Sequence, residues 1–237
     1  ITGFSLKTKE SKPKVSIDFI STMINDPDVS PGCSFTGKWK DSSISVSPGS
    51  KGVLRNVHFV PSNGILSNWI DIPNAEAPPA LQLNGSRFDG AKSRLSIVNT
   101  DFSNCDLSNV VFSFCHFVDC TFSPYLISTE FINCILENCF FDNNDDISRS
   151  GNDRRCIFRS CKFKGELKMG SDLSYCTFDP KCDFNDVLGK CFDSLNLSNT
   201  VIDSGIDLSG MTLKNCLLSN LRLTNSKDDL RLLKNVR

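Results

Sequence analysis

The sequence predicts an all-β fold, a β-helix of degenerate five-residue repeats, on three observations. Large apolar residues recur at intervals of five, a smaller apolar residue stands two positions before most of them, and the residues between are small and polar. An amphipathic helix would place apolar residues three and four apart, and an ordinary strand would alternate until a turn. Neither pattern produces an interval of five, whereas a repeat protein does.

The clearest run of five-residue steps lies in the middle of the chain: Ile97, Phe102, Leu107, Phe112, Phe117, Phe122 and Ile127. After a one-residue slip the steps resume at Phe131, Leu136 and Phe141, then at Phe158 and Phe163, at Leu173 and Phe178, and at Leu208, Leu213, Leu218 and Leu223. Alternation within each unit suits a short strand with one buried face. The Ser, Asn and Asp residues between the units favour turns.

The segment Cys105-Asp106-Leu107-Ser108-Asn109 shows one unit clearly. It resembles the pentapeptide-repeat family, whose pattern is a small residue, Asp or Asn, Leu or Phe, and two variable polar positions. The resemblance implies a right-handed quadrilateral β-helix. With about four units per turn, residues 81–225 would form about seven coils stacked roughly 4.8 Å apart. The chain departs from the family pattern by having Cys or Thr where Ala is commonest.

Both flanks of the repeat are expected to cover its open ends, because uncovered strand edges promote association. Residues 1–31 would be an N-terminal flank, residues 32–80 irregular first coils and a loop, and residues 81–225 the regular β-helix. In the first flank, apolar residues at helical intervals predict a short capping helix: Val15, Phe19, Ile20, Met23 and Ile24. Residues 226–237, with acids in the first turn, predict a second capping helix or a linker to a further domain.

The twelve cysteines could form disulfides, hold a metal or pack as thiols in the core. All but Cys191 stand two residues before a Phe or Leu, which is a packing rule rather than a ligand rule. Cysteine is small, apolar and often buried, whereas zinc sites usually combine Cys-x2-Cys spacings with His. We therefore expect reduced core thiols, no metal and no cofactor, in a cytosolic environment.

Catalytic residues are expected to be absent. The two histidines, His58 and His116, each adjoin an inward aromatic position and should point outward. Cys115 cannot act with His116, because adjacent residues on a strand face opposite sides. The sequence has no Gly-rich phosphate loop, no Gly-x-Ser-x-Gly elbow and no His-Glu-x-x-His motif.

Two interruptions of the repeat are the predicted binding surfaces, because loops on a rigid scaffold often carry recognition. Residues 61–80 offer Trp69 and Ile70 as candidate partner-binding residues. Residues 142–155 offer four charged candidates: Asp145, Asp146, Arg154 and Arg155. The alternatives are local packing for Trp69 and a solvated turn for the charged segment.

The formal net charge of −1 gives the molecule no overall field that attracts nucleic acid or an anionic membrane. No stretch reaches the roughly 18 apolar residues that a membrane span needs. The chain begins at Ile1 rather than Met, so we expect a part of a longer protein. These observations predict a non-catalytic scaffold that binds a protein, not nucleic acid, and they leave its oligomeric state open.

The irregular, Cys- and Phe-rich repeats resemble those of bacterial type III secreted effectors. That resemblance implies a protein delivered into the host cytoplasm that binds a host protein. It also fits the partner-recruiting β-helix of an effector that resembles a HECT ubiquitin ligase, whose catalytic cysteine lies in a later region. The alternative is a DNA-mimicking, topoisomerase-binding member of the family, and a purely structural repeat protein is the third possibility.

Overall fold

The chain folds as an all-β, right-handed solenoid. The structure is a computed structural model, and it describes residues 5–7, 13–20, 22–72, 79–91, 95–122, 125–142, 156–168, 171–203, 206, 208 and 211–224. Within these residues the one helical element is a short 3-10 turn at Leu188–Lys190. The predicted fold class is thus confirmed.

The described strands all pair in parallel with strands of the coils before and after them. Strands β1 to β10 are Ser5–Leu6, Lys14–Ser16, Phe19–Ile20, Met23–Asn25, Asp28–Val29, Ser34–Lys40, Ser43–Ser45, Gly52–Val53, His58–Ser67 and Ile70–Asp71. Strands β11 to β20 are Leu81–Gln82, Arg87–Asp89, Ser96–Val98, Cys105–Asp106, Val111–Ser113, His116–Val118, Thr121–Phe122, Thr129–Ile132, Ile135–Glu137 and Phe140–Phe141. Strands β21 to β28 are Cys156–Arg159, Lys162–Gly165, Thr177–Phe178, Asp183–Val187, Cys191–Asp193, Val201–Asp203, Thr212–Lys214 and Arg222–Thr224.

Each coil contributes to four faces, which we name A to D in chain order. Face A contains β1, β5, β8, β11 and β14, and face D contains β4, β7, β10, β17, β20, β25 and β27. Face B contains β2, β12, β15, β18, β21, β23, β26 and β28, and face C contains β3, β13, β16, β19, β22 and β24. The long strands β6 and β9 run through both B and C. From β12 to β28, face B receives a strand from each of seven coils, as the repeat predicts.

The core is a column of aromatic rings that follows the coils. On face B, seven Phe side chains stack with neighbouring ring centroids 4.6–5.8 Å apart and ring planes within 21° of each other: Phe35, Phe59, Phe88, Phe112, Phe131, Phe158 and Phe178. Rings on adjacent faces meet edge to face, as Phe112 and Phe117 do at 88°. Both geometries are favourable for aromatic pairs, so the rings fill the interior without strain.

The small inward residue two positions before most rings carries a hydrogen-bond donor. The Cys161 Sγ lies 3.2 Å from the Phe131 carbonyl oxygen of the preceding coil, and the Thr129 hydroxyl donates to the Leu107 carbonyl at 2.7 Å. Ten of the twelve cysteines are buried, and none forms a disulfide. Their predicted place in the wall is confirmed, and the donor explains why Cys or Thr replaces Ala.

The chain turns between faces at residues with positive φ. Among the described residues, twelve of the seventeen such non-glycine positions are Asn or Asp, whose short polar side chains tolerate the left-handed conformation best. At the A–B corner, Gly85 has φ +72, and a Cβ there would lie 2.1 Å from Asn56 Oδ1. The corner position therefore selects Asn, Asp or Gly in most coils.

The predicted N-terminal capping helix is wrong. Val15 lies in β2, Phe19 and Ile20 in β3, and Met23 and Ile24 in β4, which together form a first coil. The buried residues Phe19 and Ile24 are five positions apart, which is the repeat interval, whereas Ile20 and Met23 are exposed. Because the outward residues Ile20 and Met23 are also apolar, the segment shows the three- and four-residue spacing that is typical of a helix.

The structure also differs from the sequence prediction at residues 61–72 and near Ile127. Residues 61–72 continue the coils through β9 and β10 instead of projecting as a loop. The irregular step of the repeat falls one unit earlier than predicted, because Leu126 is buried and Ile127 is only half-buried. The capping helix or linker at 226–237 lies outside the described residues.

Replacing Phe117 with Asp tests the inward register. The Phe117 ring is fully buried, with the ring centroids of Phe112, Phe122 and Phe131 within 5.9 Å. A carboxylate there would be buried without a partner, so we expect loss of the cooperative thermal transition in circular dichroism. Val118→Asp, on the neighbouring outward position, is the control and should melt near the wild type. Equal melting of both variants would contradict the register.

Burial of the thiols also predicts a stability that depends on alkaline pH. Burial raises the pKa of Cys120 from 9.0 to about 11 and the pKa of Cys134 well above its ordinary value. Folding thus favours the protonated thiol, so this contribution is complete below the unfolded pKa and is lost as pH rises. We expect the urea midpoint to fall between about pH 9 and about pH 11, less steeply in Cys120→Ala. Identical slopes for the two proteins would contradict the assignment to Cys120.

Candidate functional site

Two of the sequence-predicted binding residues, Trp69 and Ile70, are buried. Trp69 and Ile70 are 1% and 7% exposed, and the Trp69 ring lies 5.4 Å from that of Phe88, centroid to centroid, inside the solenoid. Their proposed role as partner anchors is therefore wrong. Trp69 occupies an inward position that holds smaller residues in later coils, such as Thr100 and Cys120, and the irregular spacing of the first coils concealed this. The charged candidates lie outside the described residues: Asp145, Asp146, Arg154 and Arg155.

Exposed large apolar side chains indicate where else a partner could bind. In the described part of the chain they are Ile17, Ile20, Met23, Ile65, Phe114, Leu188, Leu217 and Leu218. Most of these lie in the first coil or in the last described coil. Phe114 differs, because it lies in the middle of the rod, among the most regular repeats, and is 45% exposed.

Phe114 occupies a corner between faces B and C in a left-handed conformation, with φ +55. The equivalent corners of the next two coils are formed by Asn133 and Ser160, with φ +51 and +52. A bulky side chain in this conformation costs about 1–2 kcal/mol relative to the ordinary one. Such strain is concentrated at functional sites in proteins, so Phe114 is the strongest candidate on this surface.

The backbone of Phe114 is held from both sides. Its amide donates to the Ile132 carbonyl of the next coil at 2.9 Å. In the preceding coil, a Cβ on Gly90 would lie 2.4 Å from the Phe114 carbonyl oxygen. Only glycine permits that approach, so Gly90 allows the Phe114 corner to pack onto the coil before it.

Two isoleucines extend the apolar surface directly below Phe114. Ile132 lies on face B opposite Ser113, and Ile135 lies on face C opposite His116. Both are half-buried and point outward, on either side of the exposed corner residue Asn133. We name Phe114, Ile132, Asn133 and Ile135 the Phe114 edge.

Charged side chains frame this edge on both faces. In the coil of the isoleucines, Glu130 lies on face B and Glu137 on face C, and in the next coil Arg159 and Lys162 lie on the same two faces. Arg159 Nε lies 3.5 Å from Glu130 Oε2, and His116 Nε2 lies 3.0 Å from Glu137 Oε2. These side chains are 30–49% exposed, and exposed pairs of this kind contribute little to stability.

Lys162 forms the strongest surface pair near the edge. Its Nζ lies 2.8 Å from Asp186 Oδ2 and 3.5 Å from Asp183 Oδ2. The hydrogen bond that Lys162 donates to Asp186 raises the pKa of Lys162, which is therefore charged at neutral pH. The acidic and basic residues thus alternate from coil to coil along faces B and C.

A second surface feature is a polar hollow of about 630 Å³ along the corner between faces C and D. Carboxylates from three coils contribute to it through Asp41, Asp71 and Asp101, together with the amides of Asn68 and Asn99. Asn99 Nδ2 donates to Asn68 Oδ1 at 2.6 Å. The hollow is acidic, polar and shallow, and it lies on the other side of face C from the Phe114 edge.

A cluster of metal-ligating side chains is not assembled in the described ranges. No three His, Cys, Asp or Glu side chains there are placed to hold a metal ion. Cys115 points inward and is 1% exposed, whereas His116 points outward to Glu137. Among the described residues there is also no helix long and apolar enough to cross a membrane.

The middle of the rod matches a known sequence family. The family model described as pentapeptide repeats, in eight copies, matches residues 94–123. Residues 94–123 are similar to pentapeptide repeats. Phe114 therefore lies within the most typical repeats of the chain, at a corner rather than an inward position, and its exposure is not a consequence of a break in the repeat.

Comparison with whole proteins adds little to this assignment. No curated protein matches the chain. A trypsin-treated variant of QnrB1, a plasmid-mediated fluoroquinolone resistance protein, is 17% identical over 79% of this chain and 97% of that chain, with a TM-score of 0.31. HetL, a pentapeptide repeat protein involved in heterocyst differentiation regulation from the cyanobacterium Nostoc sp. strain PCC 7120, is 12% identical over 89% of this chain and 86% of that chain, with a TM-score of 0.22. Neither similarity is close enough to assign a function.

The strain at Phe114 predicts that Phe114→Asn stabilises the fold. Asn is the residue at the same corner of the next coil, Asn133, and it tolerates positive φ. We expect unfolding by urea to require about 1 kcal/mol more than in the wild type. Asn133→Phe is the matched reverse change and should lower stability by a similar amount. A loss of stability in Phe114→Asn would show that the ring is a structural element.

Proposed function

We propose that the chain is a non-catalytic scaffold that binds another protein through the Phe114 edge. The observation that carries this proposal is an aromatic side chain, 45% exposed, held in a strained conformation in the middle of a regular rod. Large aromatic residues commonly anchor protein interfaces, and a rigid wall presents them with little loss of conformational entropy on binding. Ile132 and Ile135 supply adjoining apolar surface, and the charged frame supplies a polar rim.

The finer proposal is that this scaffold belongs to a bacterial type III effector and recruits a host protein. It rests on the likeness of the Cys- and Phe-rich repeats to those of effectors, including the β-helix part of HECT-like ubiquitin ligase effectors. The free thiols support a reducing cytosol as the place of action, because so many unpaired cysteines persist best where disulfides do not form. In this proposal any catalytic step belongs to a region outside these residues.

A DNA-mimicking, topoisomerase-binding function is the second candidate. The acidic hollow favours it, since Asp41, Asp71 and Asp101 recur from coil to coil on one side of the rod. The overall charge of −1 disfavours it, as do the cations Arg159, Lys162 and Lys164 in one coil of faces B and C. A mimic of DNA needs a field of one sign over a long surface.

Quantitative affinity capture from eukaryotic and bacterial lysates tests the Phe114 edge. Wild type and Phe114→Asn are compared, with Tyr175→Asn as control, because Tyr175 is also an aromatic corner residue with positive φ but lies between faces A and B. We expect capture of the partner to fall at least about tenfold in Phe114→Asn, as loss of an aromatic anchor predicts, and to persist in Tyr175→Asn. Equal capture by all three proteins would remove the Phe114 edge from consideration.

A gyrase supercoiling assay separates the two candidate functions. Under the first proposal, wild type leaves supercoiling unchanged. Under the second, inhibition occurs, it survives Phe114→Asn, and it is relieved when Asp71 and Asp101 are both replaced by Asn.

A further inference from the structure

The Phe114 edge repeats along the rod with the spacing of the coils. Phe114 lies one coil above Ile132 and Ile135, and stacked strands are about 4.8 Å apart. In an α-helix, residues three or four apart on one face are separated by about 4.5–6 Å along the axis. In an extended strand, residues on one face are about 6.6–6.8 Å apart. A helix lying along the rod therefore stays in step with the coils, and a strand does not.

A strand partner also lacks hydrogen bonds at this edge. On face B, β15 is already paired with β12 and β18, and β18 with β15 and β21. Strand addition requires a free row of backbone donors and acceptors, and these strands have neighbours on both sides. Contact at the Phe114 edge is thus made by side chains alone, which suits the apolar face of a helix.

The charged frame favours a definite order of charge in such a helix. Glu130 and Glu137 lie on the outer sides of Ile132 and Ile135 in one coil, and Arg159 and Lys162 lie directly below these isoleucines in the next. A segment that follows the edge therefore meets acids on both flanks and then, one step further, a base on each side of the corner. The side chains of the existing ion pairs are 32–49% exposed and can exchange partners at small cost.

We propose that the partner binds the Phe114 edge with an amphipathic α-helix that lies along the rod, a proposal that rests on the proposed function. Its apolar residues, at intervals of three and four, pack on Phe114, Ile132 and Ile135. Lys or Arg on both flanks faces Glu130 and Glu137. Asp or Glu, one helical turn further, faces Arg159 and Lys162.

Selection from two displayed peptide libraries tests this inference. One library varies the surface of a stable helical scaffold, and the other consists of linear peptides rich in β-branched residues. Both are selected on the wild-type chain and depleted on Phe114→Asn and on Ile135→Lys, two variants whose fold is checked by circular dichroism. We expect binders from the helical library that carry the apolar stripe and the stated order of charges.

A charge-reversal experiment with the selected helices measures the order directly. Each helix is synthesised in its selected form and with its flanking Lys and Glu exchanged, and both are titrated by fluorescence anisotropy. We expect the exchanged helix to bind about tenfold more weakly to wild type and to regain affinity for the double variant Glu137→Lys and Lys162→Glu. Equal affinity of the two helices would overturn the charge order.

The two proposals fail in different ways. Binders that depend on Phe114 but come from the linear library, or helices without the apolar stripe, overturn the helix inference and support the edge as a binding surface. If neither library yields a binder that is lost in Phe114→Asn and in Ile135→Lys, the proposed function fails as well.

Discussion

The stacking of aromatic rings at the spacing of the coils is the interaction on which the rest of the structure depends. Parallel strands set neighbouring coils about 4.8 Å apart, and the Phe88, Phe112 and Phe131 centroids follow at 4.9 and 5.2 Å. Because one spacing satisfies both the backbone hydrogen bonds and the rings, a coil that places Phe at an inward position favours Phe in the next coil. The repeat is therefore a consequence of packing between coils rather than of local propensity.

The space left in the filled interior determines the size of the second inward residue of each unit. Rings on three faces and leucines on face A leave room for a small side chain only, so Cys, Thr, Ser and Val occupy the place two residues earlier. A thiol or hydroxyl there reaches the carbonyl oxygen of the preceding coil, as Cys182 does to Phe158 at 3.3 Å and Thr200 to Leu173 at 2.7 Å. Each such contact links two coils, and burial raises the pKa of thiols such as Cys134 and Cys161. The cysteines, whose number in the sequence suggests disulfides or a metal site, are part of the packed wall of the solenoid.

The fold could be predicted from the sequence wherever a unit kept its five-residue length, because each unit then reports one face. From Phe102 to Phe122 every predicted inward residue is buried. The prediction fails in the first coils, where the length of the unit changes. The strand β6 has a register shift after Gly37, and an added Cβ at Gly37 would lie 2.1 Å from the Ile17 carbonyl oxygen. Irregular steps of this kind placed Trp69 in a predicted loop, although its ring fills the core.

The candidate site could not be predicted from the inward pattern, because that pattern is set by stacking and is shared by coils with different roles. The sequence signal of the site is an unusual residue type at a corner position. A position that favours Asn, Asp or Gly for conformational reasons holds Phe114, which neither relieves the backbone nor fills the core. Stability alone would favour Asn there, as in the next coil. In this solenoid, packing constrains the interior residues throughout, so selection for binding acts on outward and corner residues. Such selection is visible at a residue that destabilises the fold and is exposed to solvent.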